Sequence, residues 1–201
     1  MDVVMIFQKN LRELAVAGAL ILSLGLIAGG YYWYRSATNQ KAQALLAQCL
    51  EEYERALYTN EAHMWHDVQM ASSQGYERSK SSDLAPFFKS IQADAFYAQD
   101  KKEEALEALS AAVDAMSTSS PLYYLYATKL ALMEYDYKGS SERLMALAQN
   151  TKNPYKDMAQ YYVGYYLLAQ DKQIEARAYW KDLLQQNSVW AQQAQAQLGA
   201  Y

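Results

Sequence analysis

Apolar residues recur at intervals of three and four along almost the whole chain, as in KKEEALEALSAAVDAM at 101–116, and no stretch keeps a period-two alternation between turn residues. That periodicity predicts an all-α protein, with helices over 36–58, 61–79, 84–98, 102–116, 121–135, 140–149, 154–169, 173–186 and 188–199. One segment departs from it. From Leu14 to Tyr34, twenty-one consecutive residues, LAVAGALILSLGLIAGGYYWY, carry no charge.

At 1.5 Å per residue that run is about 31 Å long, matching a hydrocarbon core of roughly 30 Å, so it reads as a transmembrane helix over 14–34. Tyr31, Tyr32, Trp33 and Tyr34 followed by Arg35 suit a membrane interface, where amphipathic rings sit at headgroup depth and a cation snorkels beyond them. The competing reading is a cleaved signal peptide with Ala28-Gly29-Gly30 at its end. The length of the run, the mixed charges of residues 1–13 and the aromatic belt favour an uncleaved anchor. Lys9 and Arg12 on one side face Arg35 and Lys41 on the other, so the charge rule leans only slightly toward a cytoplasmic N-terminus. Gly18, Gly25 and Gly29 share one helix face, and the last two form a GxxxG that admits a second helix at close range. The expected order is a tail at 1–13, the span at 14–34, a capping helix pair at 35–82 and helical repeats at 83–201.

The repeats are marked by the three prolines, Pro86, Pro121 and Pro154, thirty-five and thirty-three residues apart. Each follows a capping residue: Asp83 three before Pro86, Ser120 before Pro121, Asn153 before Pro154. Proline fits a first helical turn, where its missing N–H is not needed. Ser188 continues the beat, and the small residues Ala105, Ser140 and Ala176 repeat it in the helices between. A period near 34 residues with two antiparallel helices per unit is the signature of an α-solenoid.

The residues that recur at these positions resemble the tetratricopeptide motif. In VGYYLLAQDKQIEARAYW, Gly164, Asp171, Ala176 and Trp180 stand where that motif keeps a small residue, a turn, a second small residue and a bulky aromatic. Ala93, Phe96, Asp100, Ala105, Leu109 and Ala112 match in the first unit, and Thr128, Ala131 and Ser140 more loosely in the second. With its apolar N-terminal segment the chain also resembles the bacterial inner-membrane proteins described as ancillary subunits of the Sec translocon. That resemblance implies a single-pass protein with a cytoplasmic N-terminus and a periplasmic domain. It implies as partners the translocon subunits, chaperones or exported chains.

Charge and chemistry narrow the reading further. Without Asp2, Lys9, Arg12, Glu13 and Arg35, residues 36–201 carry 15 Lys+Arg and 20 Asp+Glu, a net charge of −5. The basic footprint that nucleic acid requires is missing. One Cys and two His among 201 residues leave no set of ligands for an iron–sulfur cluster or a Cys-rich zinc module. His63 and His66 with Asp67 on one helix face are the only candidate metal ligands, and they read equally as a polar face near a helix start. Cys49 among Leu45, Leu46 and Leu50 reads as a small buried hydrophobe. No phosphate loop, nucleophile elbow or HExxH occurs. The expectation is therefore a noncatalytic protein without metal or cofactor.

In a tetratricopeptide stack the first helix of each unit lines the concave groove. The motif register puts there Phe87, Ser90, Asp94 and Tyr97; Leu122, Leu125, Lys129 and Leu132; and Met158, Tyr161, Tyr165 and Leu168. With Ser90 and Asp94 at two of these places, the basic clamp that holds a terminal carboxylate is absent. The aromatic and apolar side chains suit recognition of a protein segment. Alternatively they pack on the chain's own last helix, around Trp190, or on a second copy. Two function classes follow: a membrane-tethered interaction scaffold, or a fixed structural subunit of a multi-protein membrane complex.

Overall fold

The spacing of apolar residues and the rarity of glycine and proline leave helix as the one regular structure available. A computed structural model describes the backbone of residues 3–59 and 61–199 and the side chains of residues 30, 32–59 and 61–199. Among the described residues the chain forms α1 (Val3–Thr59), α2 (Ala62–Ser79), α3 (Ala85–Ala98), α4 (Lys102–Asp114), α5 (Pro121–Lys138), α6 (Glu142–Gln149), α7 (Lys156–Ala169), α8 (Gln173–Leu183) and α9 (Val189–Gly199). Each helix from α1 to α8 packs on the next, and α9 folds back on both α7 and α8. The fold is all-α, built of adjacent helix pairs.

Helix α1 is a single element of 57 residues, about 86 Å long at 1.5 Å per residue. The helix expected to begin at Ser36 is therefore continuous with the segment before it. Among the described residues no helix is long and apolar enough to cross a membrane. The span expected at 14–34 lies for the most part outside the described side chains, as do its glycines Gly18, Gly25 and Gly29. The C-terminal half of α1 packs on α2 through Ala42, Cys49 and Ala56, spaced by seven and each at most 1% exposed. These small side chains let the two helices approach closely. Phe88, fully buried, Trp65 and Val68 complete this first core. Burial of one such aromatic contributes about 2–3 kcal/mol.

A second core joins α3 to α8 through Ala93, Leu109, Leu130, Leu144 and Val163, and a third seats α9 on α7 and α8 through Tyr161, Trp180 and Leu183. The turns inside the pairs share one device. Asp100 (φ 59°), Gly139 (φ 69°) and Asp171 (φ 60°) end α3, α5 and α7 in the left-handed conformation. At the first and third turns the Lys101 and Lys172 N–H groups donate to the Phe96 and Leu167 carbonyls, both at 2.9 Å, which satisfies carbonyls the helix leaves open.

These turns correct the expected register of the middle unit. They are thirty-nine and thirty-two residues apart, because α5 has 18 residues where α3 and α7 have 14. The extra helical turn, Tyr135–Lys138, moves Ser140 out of the following helix and into the loop, and Leu144 is buried inside the eight-residue α6. The expected starts differ as well. Ser120 caps α5 by accepting from the Leu122 N–H at 3.3 Å, as its place before Pro121 implies. Pro154 lies in a turn ahead of α7, where Asn153 accepts from the Tyr155 N–H at 2.9 Å. Asp83 does not cap α3: its carboxylate turns toward α1 and accepts from Arg35 and Asn39.

Candidate functional site

The first helices of successive pairs stand side by side, and α3, α5 and α7 enclose one open cavity of about 590 Å³. That volume lies within the range of pockets that accept several side chains or a small ligand. α3 contributes Asp94 and Tyr97; α5 contributes Leu125, Tyr126, Lys129, Leu132 and Met133; α7 contributes Met158 and Tyr162. Helical spacing explains the set, since residues three and four apart on α5 present one continuous stripe.

Of the residues singled out from the sequence, the cavity brings together Asp94, Tyr97, Leu125, Lys129, Leu132 and Met158. Phe87 and Leu122 line a neighbouring cavity of about 400 Å³ with Pro86, Met116 and Ser120. Phe87 meets Tyr126 edge to face at 5.9 Å, which joins the two cavities through a pair of rings. Tyr161 is elsewhere. It is 8% exposed, stacked on Trp180 at 5.8 Å and covered by Trp190 at 5.4 Å, so α9 takes it up as core. Leu168 packs against the same core, half-buried, and Tyr165 lies beside it on the surface at 42% exposure.

Tyr126, Met133 and Tyr162 line the cavity without having been singled out. Each follows directly after a residue that was. A helix face facing a cavity is two residues wide at each turn, and reading a single stripe misses the second member. At α7 the docking of α9 rotates the choice from Tyr161 to Tyr162.

Polar contacts tie the walls together. Asp94 accepts from Lys129 Nζ at 2.6 Å on Oδ1 and 2.7 Å on Oδ2, and from the Tyr53 hydroxyl at 3.3 Å, linking α1, α3 and α5. Burial, and then the charge of Asp94, push the Tyr53 phenol up to about 12. Tyr97 donates to Asp136 Oδ2 at 2.7 Å, and this bond raises the phenol and lowers the carboxyl. Tyr135 stacks on Tyr166 at 3.6 Å between α5 and α7, and Gln170 donates to the Tyr135 hydroxyl at 3.0 Å. Burial and the neighbouring tyrosines push Tyr166 up to about 12. Tyr53, Tyr97 and Tyr166 therefore stay neutral at any physiological pH, and the first two serve as donors.

Groups suited to bond-making chemistry stand apart from the cavity. Cys49 is 1% exposed in the α1–α2 seam, where burial pushes its thiol up to about 11. The thiolate is the reactive form, so this environment suppresses nucleophilicity. His63 pairs with Glu61 at 3.3 Å on an exposed face, and among the described residues no three His, Cys, Asp or Glu side chains are grouped to hold a metal ion. Comparison with protein-family models, curated proteins and solved structures returns no match. The capacity of the site is therefore read from its shape: it can hold apolar side chains and offer hydrogen bonds at their margins.

Proposed function

We propose that the chain is a noncatalytic interaction scaffold, tethered to a membrane by residues 14–34, that binds protein segments in the groove between α3, α5 and α7. The observation that carries this reading is the convergence of three separate helices on one open cavity lined by Leu125, Leu132, Met133 and Met158 together with Tyr97, Tyr126 and Tyr162. Tyrosine gives broad rigid contact area and a polar tip at low entropic cost, which suits protein recognition. A tether raises the local concentration of a partner at the same membrane, so micromolar contacts, roughly −8 kcal/mol, suffice for occupancy. By its resemblance to ancillary translocon subunits, the scaffold serves protein secretion or envelope assembly from the periplasmic face of an inner membrane. Its partners are then translocon subunits, chaperones or emerging chains.

The test is a photo-crosslinking amino acid placed at Leu132 or Met158 in the groove and, as a control, at the exposed Arg177 of α8. Crosslinks in living cells to exported or membrane proteins from the groove positions alone support the reading. Identical adducts from all three positions, or none, sink it. A fixed stoichiometric set of the same few membrane proteins would instead make the chain a structural subunit whose groove is a permanent interface.

A further inference from the structure

The groove has an apolar floor, but its electrostatics are lopsided. Midway along α3 the Asp94 carboxylate is closed, with Lys129 on both oxygens. Toward the C-terminal ends of α3 and α5 the picture changes. Tyr97, on the cavity wall, and Lys102 both donate to the same oxygen of Asp136, Oδ2, at 2.7 and 3.0 Å, and among the described residues no donor reaches Oδ1. The Asp136 side chain is 47% exposed.

Asp136 also lines an open depression with Asp100, Glu103 and Glu104, against only Lys101 and Lys102. Among the described residues Asp100, Glu103 and Glu104 form no ion pair. The C-termini of α3 and α5, with their partial negative charge, lie near the same place, where the N-terminus of α4 begins and carries Glu103 and Glu104 in its first turn. Asp136 belongs to the additional turn by which α5 exceeds α3 and α7. The additional turn of α5 thus delivers a carboxylate to the end of the apolar groove.

We propose that the groove takes a protein segment in which two or three apolar side chains, seated between α3, α5 and α7, are followed by a lysine or arginine that binds Asp136 Oδ1. This rests on the groove reading above and adds the partner's chemistry to it. The apolar anchors supply most of the affinity by leaving water. The cation sets direction and preference, because an acidic residue at that end meets four carboxylates against two lysines, whereas a basic one takes the Asp136 oxygen that Lys102 and Tyr97 leave open.

The experiment uses the full-length chain in zwitterionic nanodiscs, with empty discs as background. The probes are two fluorescein-labelled twelve-residue peptides that share two leucines and a phenylalanine and end in two lysines or two glutamates. Fluorescence anisotropy is expected to give about tenfold tighter binding of the lysine peptide at low salt, a ratio that shrinks in 0.5 M salt as exposed charges are screened. Asp136→Asn, which keeps an acceptor for Tyr97, should narrow the ratio to about threefold with unchanged melting, and Glu103→Gln with Glu104→Gln should narrow it further. Equal binding of both peptides, abolished by Leu132→Asn, overturns the charge assignment and leaves the groove standing. Binding of neither peptide overturns both.

Discussion

The indole of Trp180 occupies the space that a side chain at Gly164 would need: a Cβ there would come within 2.1 Å of Nε1 and 2.3 Å of Cε2. The same Nε1 donates to the Tyr161 carbonyl at 3.0 Å, so α7 and α8 are joined at that point by contact and by a buried hydrogen bond. Gly164→Ala should therefore force apart a fully buried tryptophan and strain its bond, at about 3 kcal/mol or more. Chemical denaturation would show a lowered midpoint. Gly75→Ala should behave alike, because a Cβ there would come within 2.3 Å of the Phe88 ring between α2 and α3. Midpoints equal to that of the unaltered chain would contradict both packings.

Tyr161 and Tyr165 are four residues apart on α7, yet truncating them should have different results. Tyr161 is core between Trp180 and Trp190, and Tyr161→Ala should cost about 3–5 kcal/mol as a large buried ring is lost. Tyr165 is exposed, and Tyr165→Ala should change stability by less than about 0.5 kcal/mol. Thermal melts of the two variants, read side by side, decide this. Similar losses for both would mean that α9 does not cover Tyr161.

This contrast shows where sequence reasoning reaches and where it stops. Helix periodicity was legible from local spacing, and the resemblance to the tetratricopeptide motif marked Gly164 as a small position and Trp180 as a bulky one; that the two touch is what the structure adds. Tyr161 was left between two fates, the groove or packing on the last helix around Trp190, and the structure takes the second because α9 returns to α7, a contact whose choice no local pattern encodes. The extra turn of α5 was hidden for a related reason. Pro86 and Pro121 mark helix starts at a steady interval, whereas the ends are set by Asp100 and Gly139, and only the ends reveal that one helix is longer. Asp83 had the residue type and spacing of a cap, but Arg35 and Asn39 compete for its carboxylate from forty-eight and forty-four residues away.

Asp100 and Asp171 hold positive φ at matching turns, a conformation in which an L side chain is strained and glycine is not. Replacing either with glycine should raise stability by a few tenths to about 1 kcal/mol, while valine at the same place should lower it by about 1–2 kcal/mol. The helix ends are otherwise unchanged, so circular dichroism should be the same and only the unfolding midpoint should move. A glycine variant less stable than the unaltered chain would mean that the aspartate side chains contribute more to the turn than the backbone strain takes away.

Arg35 donates to Asp83 through Nε and Nη2, and Asn39 binds the same carboxylate while accepting from Ser82 at 2.7 Å and from the Asp83 N–H at 3.2 Å. The cluster fastens the long α1 to the loop that starts α3. These hydrogen bonds, that from Arg35 foremost, hold the Asp83 carboxyl below the usual carboxylate range. A group so lowered binds fewer protons folded than unfolded. Its contribution is therefore fully present above the unfolded value near 3.9 and is lost as the pH falls through the folded one. The pair is half exposed, which keeps the effect modest. The difference in unfolding midpoint between the unaltered chain and Asp83→Asn should be constant from pH 7 to 5 and should close as the pH falls below about 4. A difference that persists at the acid end would mean that Asn39 and Ser82, rather than the charge, hold the loop to α1.

Cys49 gives the simplest test of the first helix pair. Its sulfur is closed between α1 and α2, and burial raises the thiol to about 11, so both access and ionisation oppose attack on a thiol reagent. The folded chain at pH 8 should react with 5,5′-dithiobis(2-nitrobenzoate) at a rate set by local opening of that pair, and in denaturant at the ordinary rate of a free thiol. Ala42→Glu or Ala56→Glu, each placing a charge at a fully buried seam position, should expose the thiol and speed labelling by two orders of magnitude or more, since opening energies of about 3 kcal/mol correspond to that ratio. Immediate labelling of the unaltered folded chain would show that the seam between α1 and α2 is open, and with it the foundation on which α3 and the groove are stacked.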